Sequence, residues 1–261
     1  MEDGKIMNTN DLHSDFRRRG YCVAVDALSA SDLADLQAVC DELLEEEPDD
    51  NGGGRYHDIG RGEARRFLRH RHLDHPRLER FLLGDTMTEV ATALLGPTAV
   101  LFNEQFVVKG TETEASSFAW HQDGAYVGFD HEPYLTVWVA LDDTTEENGC
   151  VYVLPRNLDE DSSLVEHRWN ADGKEKVGYD GAEPGVPMTG KAGTVVAFSS
   201  TTLHRSGQNR TGRRRRAYIC QYSRTPIVDP ASGKLRNFAT PVGRASTGGA
   251  ETATQARAPT S

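Results

Sequence analysis

The 261-residue sequence predicts a mainly β protein in which N-terminal helices pack on the outside of a β core. Two observations lead to this fold class. Helical periodicity is confined to the first 96 residues or so, and short strand-like segments separated by Gly, Pro and Asn turns follow it. Helices first and strands later favour an antiparallel sandwich or barrel over alternating βαβ units. We expect one domain over residues 1–243, with a helical part at about 10–96 and a β core at about 97–230.

The helical part begins with a short apolar strand, Gly20–Val25. A helix is predicted at about Ser31–Glu46, because its apolar residues recur every three or four positions. Two further helices are predicted near Pro76–Leu83 and Thr86–Leu95, the second ending at Gly96, which is followed by proline. A Gly- and Pro-rich loop, residues 48–62, separates the first of these helices from the others.

Six predicted strands make up the β core. They are Val100–Lys109, Ser116–Asp123, Leu135–Asp142, Cys150–Leu154, Gly193–Phe198 and Arg215–Ser223. The first of them places Asn103, Gln105 and Lys109 on one face, opposite an apolar face that includes Phe106. We expect the apolar face to pack under the helices and the polar face to line the interior. A polar interior is typical of a charged ligand site and costly in a simple scaffold.

Composition excludes several classes of protein. The net charge of −11 disfavours binding to nucleic acid or to an anionic membrane surface. No apolar run approaches the roughly 20 residues of a membrane span, and residues 1–15 lack the apolar region of a secretory signal. The four cysteines are far apart and form no CxxC pair. We expect a cytoplasmic protein, with a disordered tail at residues 244–261, which contain no Leu, Ile, Val or aromatic residue.

The most informative motif is His121-Gln122-Asp123 at the end of a predicted strand. Side chains two residues apart on a strand share a face, so His121 and Asp123 should converge while Gln122 turns away. His204, which follows the predicted strand Gly193–Phe198, is the natural third ligand. Two histidines and one carboxylate suit non-haem Fe(II) and oxygen chemistry. The alternative is a hydrogen-bonded surface pair, because His-x-Asp spacings are common by chance.

A second group of histidines offers a competing metal site. His70, His72 and His75 lie close together in the sequence, with His57 nearby. Four arginines surround them, however, and positive charge disfavours the binding of a further cation. The same basic segment, residues 61–75, could instead lie beside the pocket and receive an anionic group of a substrate. Its other interpretation is a solvated helix flank balanced by the acidic residues 45–50.

The residues that follow His204 carry a family resemblance. Ser206 stands two residues after this histidine and Arg215 stands eleven residues after it. Together with the His-x-Asp motif, this spacing resembles the phytanoyl-CoA dioxygenase family of Fe(II)/2-oxoglutarate oxygenases. The likeness extends over about Asp15–Val228 and includes the turn Glu-Asn-Gly-Cys-Val-Tyr-Val-Leu-Pro. It departs after Pro155, where Arg-Asn replaces the usual Gly-Ser-His.

The resemblance implies a fold, cofactors and an activity. The fold is a double-stranded β-helix, a cupin-like jelly-roll braced by the N-terminal helices. Fe(II) is held by His121, Asp123 and His204, while 2-oxoglutarate is bound by Arg215 and Ser206, with further contacts from Gln105 and Trp138. Oxygen is then consumed, succinate and CO2 are released, and a small-molecule substrate is hydroxylated. Alternatives within the class are desaturation, cyclisation and epoxidation, and outside it a catalytically silent binding module.

Simpler explanations exist for the residues assigned to 2-oxoglutarate. Gln105 could be an exposed amide on an edge strand, and Trp138 could be an ordinary core residue. Arg213–Arg216 could be a solvated basic run, an interpretation we adopt for three of these arginines but not for Arg215. Arg215 opens a strand face that continues with Ala217, Ile219 and Gln221. An arginine there needs an anion, and its planar fork suits a carboxylate.

Overall fold

The computed structural model describes residues 9–25, 27–46 and 62–243. Its helices are α1 (Thr9–Arg19), α2 (Ala30–Glu45), α3 (Pro76–Leu82) and α4 (Asp85–Leu95). The side chain of Ser29 caps α2 by accepting a hydrogen bond from the backbone N–H of Asp32. The last three helices confirm the predicted ones to within one residue at each end. Helix α1 was not predicted, because Leu12 and Phe16 are its only large apolar residues.

Thirteen strands form the β core in the described part of the chain. They are β1 (Tyr21–Ala24), β2 (Arg65–Arg69), β3 (Val100–Lys109), β4 (Phe118–His121), β5 (Leu135–Ala140), β6 (Val151–Val153), β7 (Arg168–Asn170), β8 (Glu175–Val177), β9 (Val186–Met188), β10 (Val195–Ser199), β11 (His204–Ser206), β12 (Arg215–Ser223) and β13 (Thr240–Pro241). The larger sheet has the order β1-β10-β5-β12-β3-β13, with β2 also paired to β3. The smaller sheet has the order β4-β11-β6-β9, and β7 and β8 form a hairpin. All these pairings are antiparallel, and the predicted mainly β, jelly-roll architecture is confirmed.

The two faces of the larger sheet have different partners. On the outer face, Phe106 and Tyr218 pack in one apolar cluster with helix residues such as Leu36, Leu82 and Val90. The inner face contributes to a second cluster that includes Val151 and Val153 of the smaller sheet. The strands β3 and β12 therefore bury apolar side chains outward and direct alternate side chains between the sheets. This confirms the predicted orientation of Asn103, Gln105 and Lys109 on β3. Phe102, which the same alternation predicts on the outward face, instead lines the cavity, where the register between β3 and β12 shifts.

Of the two interpretations of the basic segment 61–75, a position beside the pocket and a solvated helix flank, the structure contradicts the second, and Arg69 lines the cavity. The segment contains strand β2, and Arg65 is fully buried. The segment forms a strand because its side chains alternate between the two faces of the sheet. Arg65, Phe67 and Arg69 pair with alternate residues of β3, while Leu68 packs in the outer apolar cluster. Dense positive charge obscured this alternation in the sequence.

The interpretation of Arg216 as a solvated residue is also wrong. Its guanidinium binds Asp142 at 2.7 Å and Asp41 at 2.8 Å, which connects β12 to helix α2. The predicted loop 48–62, except for Gly62, and the predicted disordered tail 244–261 lie outside the described residues. Among the helices that the structure describes, none is long and apolar enough to cross a membrane.

Candidate active site

The three residues predicted to bind a metal converge between the two sheets. His121 is the last residue of β4 and His204 is the first residue of β11, and the two are direct partners across this antiparallel pair. Asp123 lies two residues after the end of the strand, at the start of a 3₁₀ turn that covers Asp123–Tyr126. The predicted strand Ser116–Asp123 was therefore too long, and the turn, rather than a shared strand face, brings the carboxylate to the imidazoles.

The geometry of the three side chains fits a metal ion. Asp123 Oδ1 lies 3.6 Å from His121 Nε2 and 3.5 Å from His204 Nε2, and the three candidate ligand atoms lie within 4.8 Å of one another. Each imidazole directs Nδ1 to a backbone carbonyl, at 2.8 Å for His121 and 3.0 Å for His204. An Nδ1–H that donates to a carbonyl leaves the Nε2 lone pair for a metal.

Electrostatics favour the ligand form of these groups. Burial would raise the pKa of Asp123, but the adjacent His204 and His121 hold that pKa well below its ordinary value. Burial and the neighbouring His204 lower the pKa of His121. A carboxylate beside a deprotonated imidazole is the combination that a divalent transition metal binds.

Two further residues orient the Asp123 carboxylate. Its Oδ2 accepts hydrogen bonds from Thr136 Oγ1 at 2.6 Å and from Gln221 Nε2 at 3.1 Å. Oδ1 is the oxygen that faces the imidazoles. Neither Thr136 nor Gln221 was assigned a role from the sequence, although Gln221 was placed on the Arg215 face of its strand. Such outer hydrogen bonds fix the direction of a metal-binding carboxylate.

Gln122 turns away from the imidazoles, as predicted, but it is fully buried. Its Nε2 donates to the carbonyls of Ser163 and Thr201, and its Oε1 accepts from the backbone N–H of Val165 at 2.8 Å. Arg156, which stands where the family has a different turn, donates to the same two carbonyls. These bonds attach the segment after β6 to Gln122, the residue between His121 and Asp123.

Arg215 lies in the same cavity, at the start of β12. Its side chain is almost fully buried, and Nη2 donates to the carbonyl of Gly149 at 2.8 Å. Nε and Nη1 are buried without a hydrogen-bond partner. Burial lowers the pKa of Arg215 to about 10, so the guanidinium keeps its charge at neutral pH. Two buried, unsatisfied charged donors are costly, and a carboxylate would satisfy both.

The other residues predicted to bind 2-oxoglutarate also reach this cavity. Ser206, Trp138 and Gln105 line it, and the Arg215 guanidinium lies 5.6 Å from the Trp138 ring centroid. Gln105 Oε1 accepts a hydrogen bond from Arg69 Nε at 2.9 Å, so the amide is not on an exposed edge. The assignment of these three residues to 2-oxoglutarate stays a prediction.

Lys109 is a cavity residue whose role the sequence did not reveal. It is buried next to Arg215, its partner across the sheet, and its Nζ donates to the carbonyl of Ser116 at 2.6 Å. Burial, together with Arg215 and Arg65, lowers the pKa of Lys109 well below its ordinary value. Its position on the polar face of β3, with Asn103 and Gln105, was the available signal.

The cavity has a volume of about 150 Å³ and is lined by residues of both sheets. Its charge is opposite to that of the protein as a whole. Its lining includes five basic side chains, Arg69, Lys109, Arg205, Arg215 and Arg236, and one acidic side chain, Asp123. A chain of net charge −11 thus concentrates positive charge where a ligand binds, which favours anionic ligands.

The competing histidine cluster does not form a metal site in the described residues. His70 Nε2 lies 2.6 Å from Asn103 Oδ1, and His72 Nδ1 lies 3.2 Å from Glu104 Oε1. In residues 9–25, 27–46 and 62–243, the one group of three or more converging His, Cys, Asp or Glu side chains is the His121, Asp123 and His204 set. His57 lies outside the described residues.

The sequence is similar to known oxygenases over much of its length. Residues 16–217 match the phytanoyl-CoA dioxygenase (PhyH) family. The chain is 30% identical over 151 residues to a 2-aminoethylphosphonate dioxygenase from an uncultured bacterium, HF130_AEPn_1, and 28% identical over 159 residues to the L-proline trans-4-hydroxylase of Streptomyces griseoviridis. These alignments cover 58% and 52% of this chain, and the chain spans 55% and 58% of the length of these relatives.

A solved structure extends the likeness over almost the whole fold. EvdO2 from Micromonospora carbonacea var. aurantiaca, complexed with 2-oxoglutarate, matches with a TM-score of 0.68 and 23% sequence identity. The match covers 90% of this chain and 98% of that chain. The two proteins therefore share a fold.

Proposed function

The chain belongs to the phytanoyl-CoA dioxygenase family, and we propose that it is an Fe(II)- and 2-oxoglutarate-dependent oxygenase that hydroxylates a small anionic molecule. The observation that carries this proposal is the presence, in one cavity, of a two-histidine, one-carboxylate set and of a buried arginine with two unsatisfied donors. The first set suits Fe(II), and the second suits the far carboxylate of 2-oxoglutarate.

Each group has a definite task in this proposal. His121, Asp123 and His204 hold the metal, and Thr136 and Gln221 hold the carboxylate of Asp123 in its orientation. Arg215 binds the far carboxylate of 2-oxoglutarate. When bound, Fe(II) supplies the activation of dioxygen that couples oxidative decarboxylation of 2-oxoglutarate to oxidation of the substrate.

Ser206, Gln105 and Trp138 form the walls that position 2-oxoglutarate. Lys109 lies beside Arg215, and its Nζ is bound to backbone carbonyls. The walls of the cavity also include Phe118 and Phe198, which exclude water and thereby strengthen the charge-assisted bonds inside.

The excess of cations in the cavity supports an anionic substrate. The relatives named above support the same class, since one acts on a phosphonate and another on an amino acid, both of which carry a negative group. All four cysteines are free and buried, which fits a reducing compartment such as the cytoplasm.

Measurement of succinate tests this proposal. Purified protein with Fe(II), oxygen and 2-oxoglutarate should release succinate, and addition of a true substrate from a panel of phosphonates and amino acids should raise that rate. A catalytically silent binding module would bind 2-oxoglutarate and release no succinate. Mass spectrometry of the product separates hydroxylation, which adds 16 mass units, from desaturation or cyclisation, which remove two hydrogens.

A further inference from the structure

We propose that the substrate carries two recognition elements: an anionic group bound by Arg69 and Arg236, and a hydrogen-bond donor bound by Asn237 Oδ1. This inference rests on the proposed function, because it assigns the part of the cavity that 2-oxoglutarate does not occupy. The class of substrate is a small anion, such as a phosphonate or carboxylate, with a hydroxyl or amino group a short distance away.

Four of the five basic residues of the cavity fall into two groups along strand β3, and the fifth, Arg205, lies on β11. Arg215 pairs with Lys109 across the sheet, whereas Arg69 pairs with Gln105, four residues back along β3. At about 3.3 Å per residue, the two positions are roughly 13 Å apart along the strand. One carboxylate does not reach both positions, so an anion bound at Arg69 is a second anion.

Arg236 belongs to the same end of the cavity as Arg69. The next residue, Asn237, places its Nδ2 3.4 Å from Asn103 Oδ1. Asn103 is two residues before Gln105 on β3, and Gln105 accepts the hydrogen bond from Arg69. Arg236 Nη2 donates to the carbonyl of Tyr126 at 2.9 Å, which leads its side chain along the cavity wall.

A chain of hydrogen-bonded amides that begins at Asp123 determines which side of the Asn237 amide carries the oxygen and which carries the nitrogen. The carboxylate of Asp123 can only accept, so Gln221 donates to it through Nε2 and must present Oε1 to Asn103. Asn103 then donates to Gln221 through Nδ2, at 2.8 Å, and presents Oδ1 as an acceptor. His70 Nε2, at 2.6 Å, occupies one side of that oxygen.

Asn237 completes this chain. It directs Nδ2 toward Asn103 Oδ1, and its own Oδ1 is left buried, without a hydrogen-bond partner, on a residue that lines the cavity. Because the chain of amides starts at a carboxylate, this atom is an acceptor rather than a donor. A buried acceptor without a partner is costly, and a ligand that supplies an O–H or N–H removes that cost.

The experiment compares pairs of probes that differ by one hydroxyl group. Alkylphosphonates and the matching ω-hydroxyalkylphosphonates, with one to three methylenes, are titrated calorimetrically under argon into protein loaded with Fe(II) and saturating 2-oxoglutarate. Phosphonates are chosen because saturating 2-oxoglutarate already occupies the Arg215 end, and argon prevents turnover. Binding of 2-oxoglutarate itself is measured first.

In the wild-type protein, at least one hydroxyalkylphosphonate should bind about threefold to tenfold more tightly than its alkyl partner. Asn237→Leu should abolish that difference, whereas Asn237→Asp, which keeps an acceptor, should preserve it while weakening both probes through its negative charge. Arg236→Gln and Arg69→Gln should each weaken both members of a pair by roughly tenfold to a hundredfold, with the ratio between them retained. Arg213→Gln, an exposed arginine outside the cavity, is the matched control and should leave both affinities unchanged.

Three outcomes would overturn the inference. Equal binding of every hydroxyl and alkyl pair in the wild type removes the role of Asn237. Equal effects of Arg236→Gln and Arg213→Gln remove the assigned anion site. A wild type that binds 2-oxoglutarate but no phosphonate refutes the inference and leaves the proposed function standing, whereas one that does not bind 2-oxoglutarate refutes the proposed function.

Discussion

Replacement of Arg215 tests the cosubstrate site with a magnitude that follows from the structure. Its Nε and Nη1 are the two buried donors without partners, so Arg215→Ala removes both bonds to the far carboxylate of 2-oxoglutarate. Charge-assisted bonds of this kind contribute about 1.5–3 kcal/mol, and each 1.4 kcal/mol is about a factor of ten. One such bond accounts for about tenfold to a hundredfold, so the concentration of 2-oxoglutarate for half-maximal succinate release should rise by about tenfold to a hundredfold or more. Arg215→Lys keeps the positive charge but loses the planar guanidinium, so its 2-oxoglutarate requirement should lie between those of the wild type and Arg215→Ala.

The assay is succinate release at varied 2-oxoglutarate, with anaerobic Fe(II) binding measured in parallel. Fe(II) binding should survive in both variants, since Arg215 is not among the three converging metal-binding candidates. Arg213→Ala is the matched control, because Arg213 is exposed and does not line the cavity. Equal changes in 2-oxoglutarate dependence for Arg213→Ala and Arg215→Ala would refute the reasoning.

Four further substitutions test the metal site and the core. Asp123→Ala or His204→Ala should abolish turnover and sharply weaken Fe(II) binding. Wild-type turnover in either variant would remove that residue from the site. In the wild-type protein, neither Ca²⁺ nor Mg²⁺ should replace iron. Thr136→Val keeps the side-chain shape and deletes the 2.6 Å hydrogen bond to Asp123, so Fe(II) affinity in a titration should fall by roughly tenfold to a hundredfold. Unchanged affinity would show that Gln221 alone is enough to orient the Asp123 carboxylate. Phe106→Ala removes a fully buried ring that packs against Tyr218, and should lower the free energy of unfolding, measured in urea, by about 3–5 kcal/mol. A loss below about 1 kcal/mol would contradict this packing.

Strands with clean alternation were predictable from the sequence alone. The bounds of β3 and β12 were predicted without error, because each alternates over most of its length between a helix-facing apolar side and a cavity-facing side. The same periodicity identified the face that carries Arg215 and Gln221. The residues of the metal set were predicted through their spacing and through a family resemblance that the family match confirms.

The errors arose where side-chain chemistry concealed backbone conformation. Strand β2 was missed because its buried Arg65 looks like a solvated charge in sequence, while its guanidinium actually stacks 3.5 Å from the Phe118 ring centroid and donates to the carbonyls of Ser117 and Gly173. Arg216 was misread for the same reason. The turn at Asp123 was missed because a strand ending is set by tertiary contacts, here through the buried Gln122, and not by local pattern.

The central claim is that His121, Asp123 and His204 hold Fe(II) in the same cavity in which Arg215 holds 2-oxoglutarate. The most direct measurement is an anaerobic titration of Fe(II)-loaded protein with 2-oxoglutarate, following the visible charge-transfer absorption that arises when a 2-oxo acid chelates Fe(II). The wild type should develop this absorption at saturation with one 2-oxoglutarate per chain, Arg215→Ala should require a tenfold or greater concentration, and Asp123→Ala should lose the absorption together with the metal. A wild type that binds Fe(II) without developing the absorption, or an Asp123→Ala variant that develops it fully, would contradict the claim.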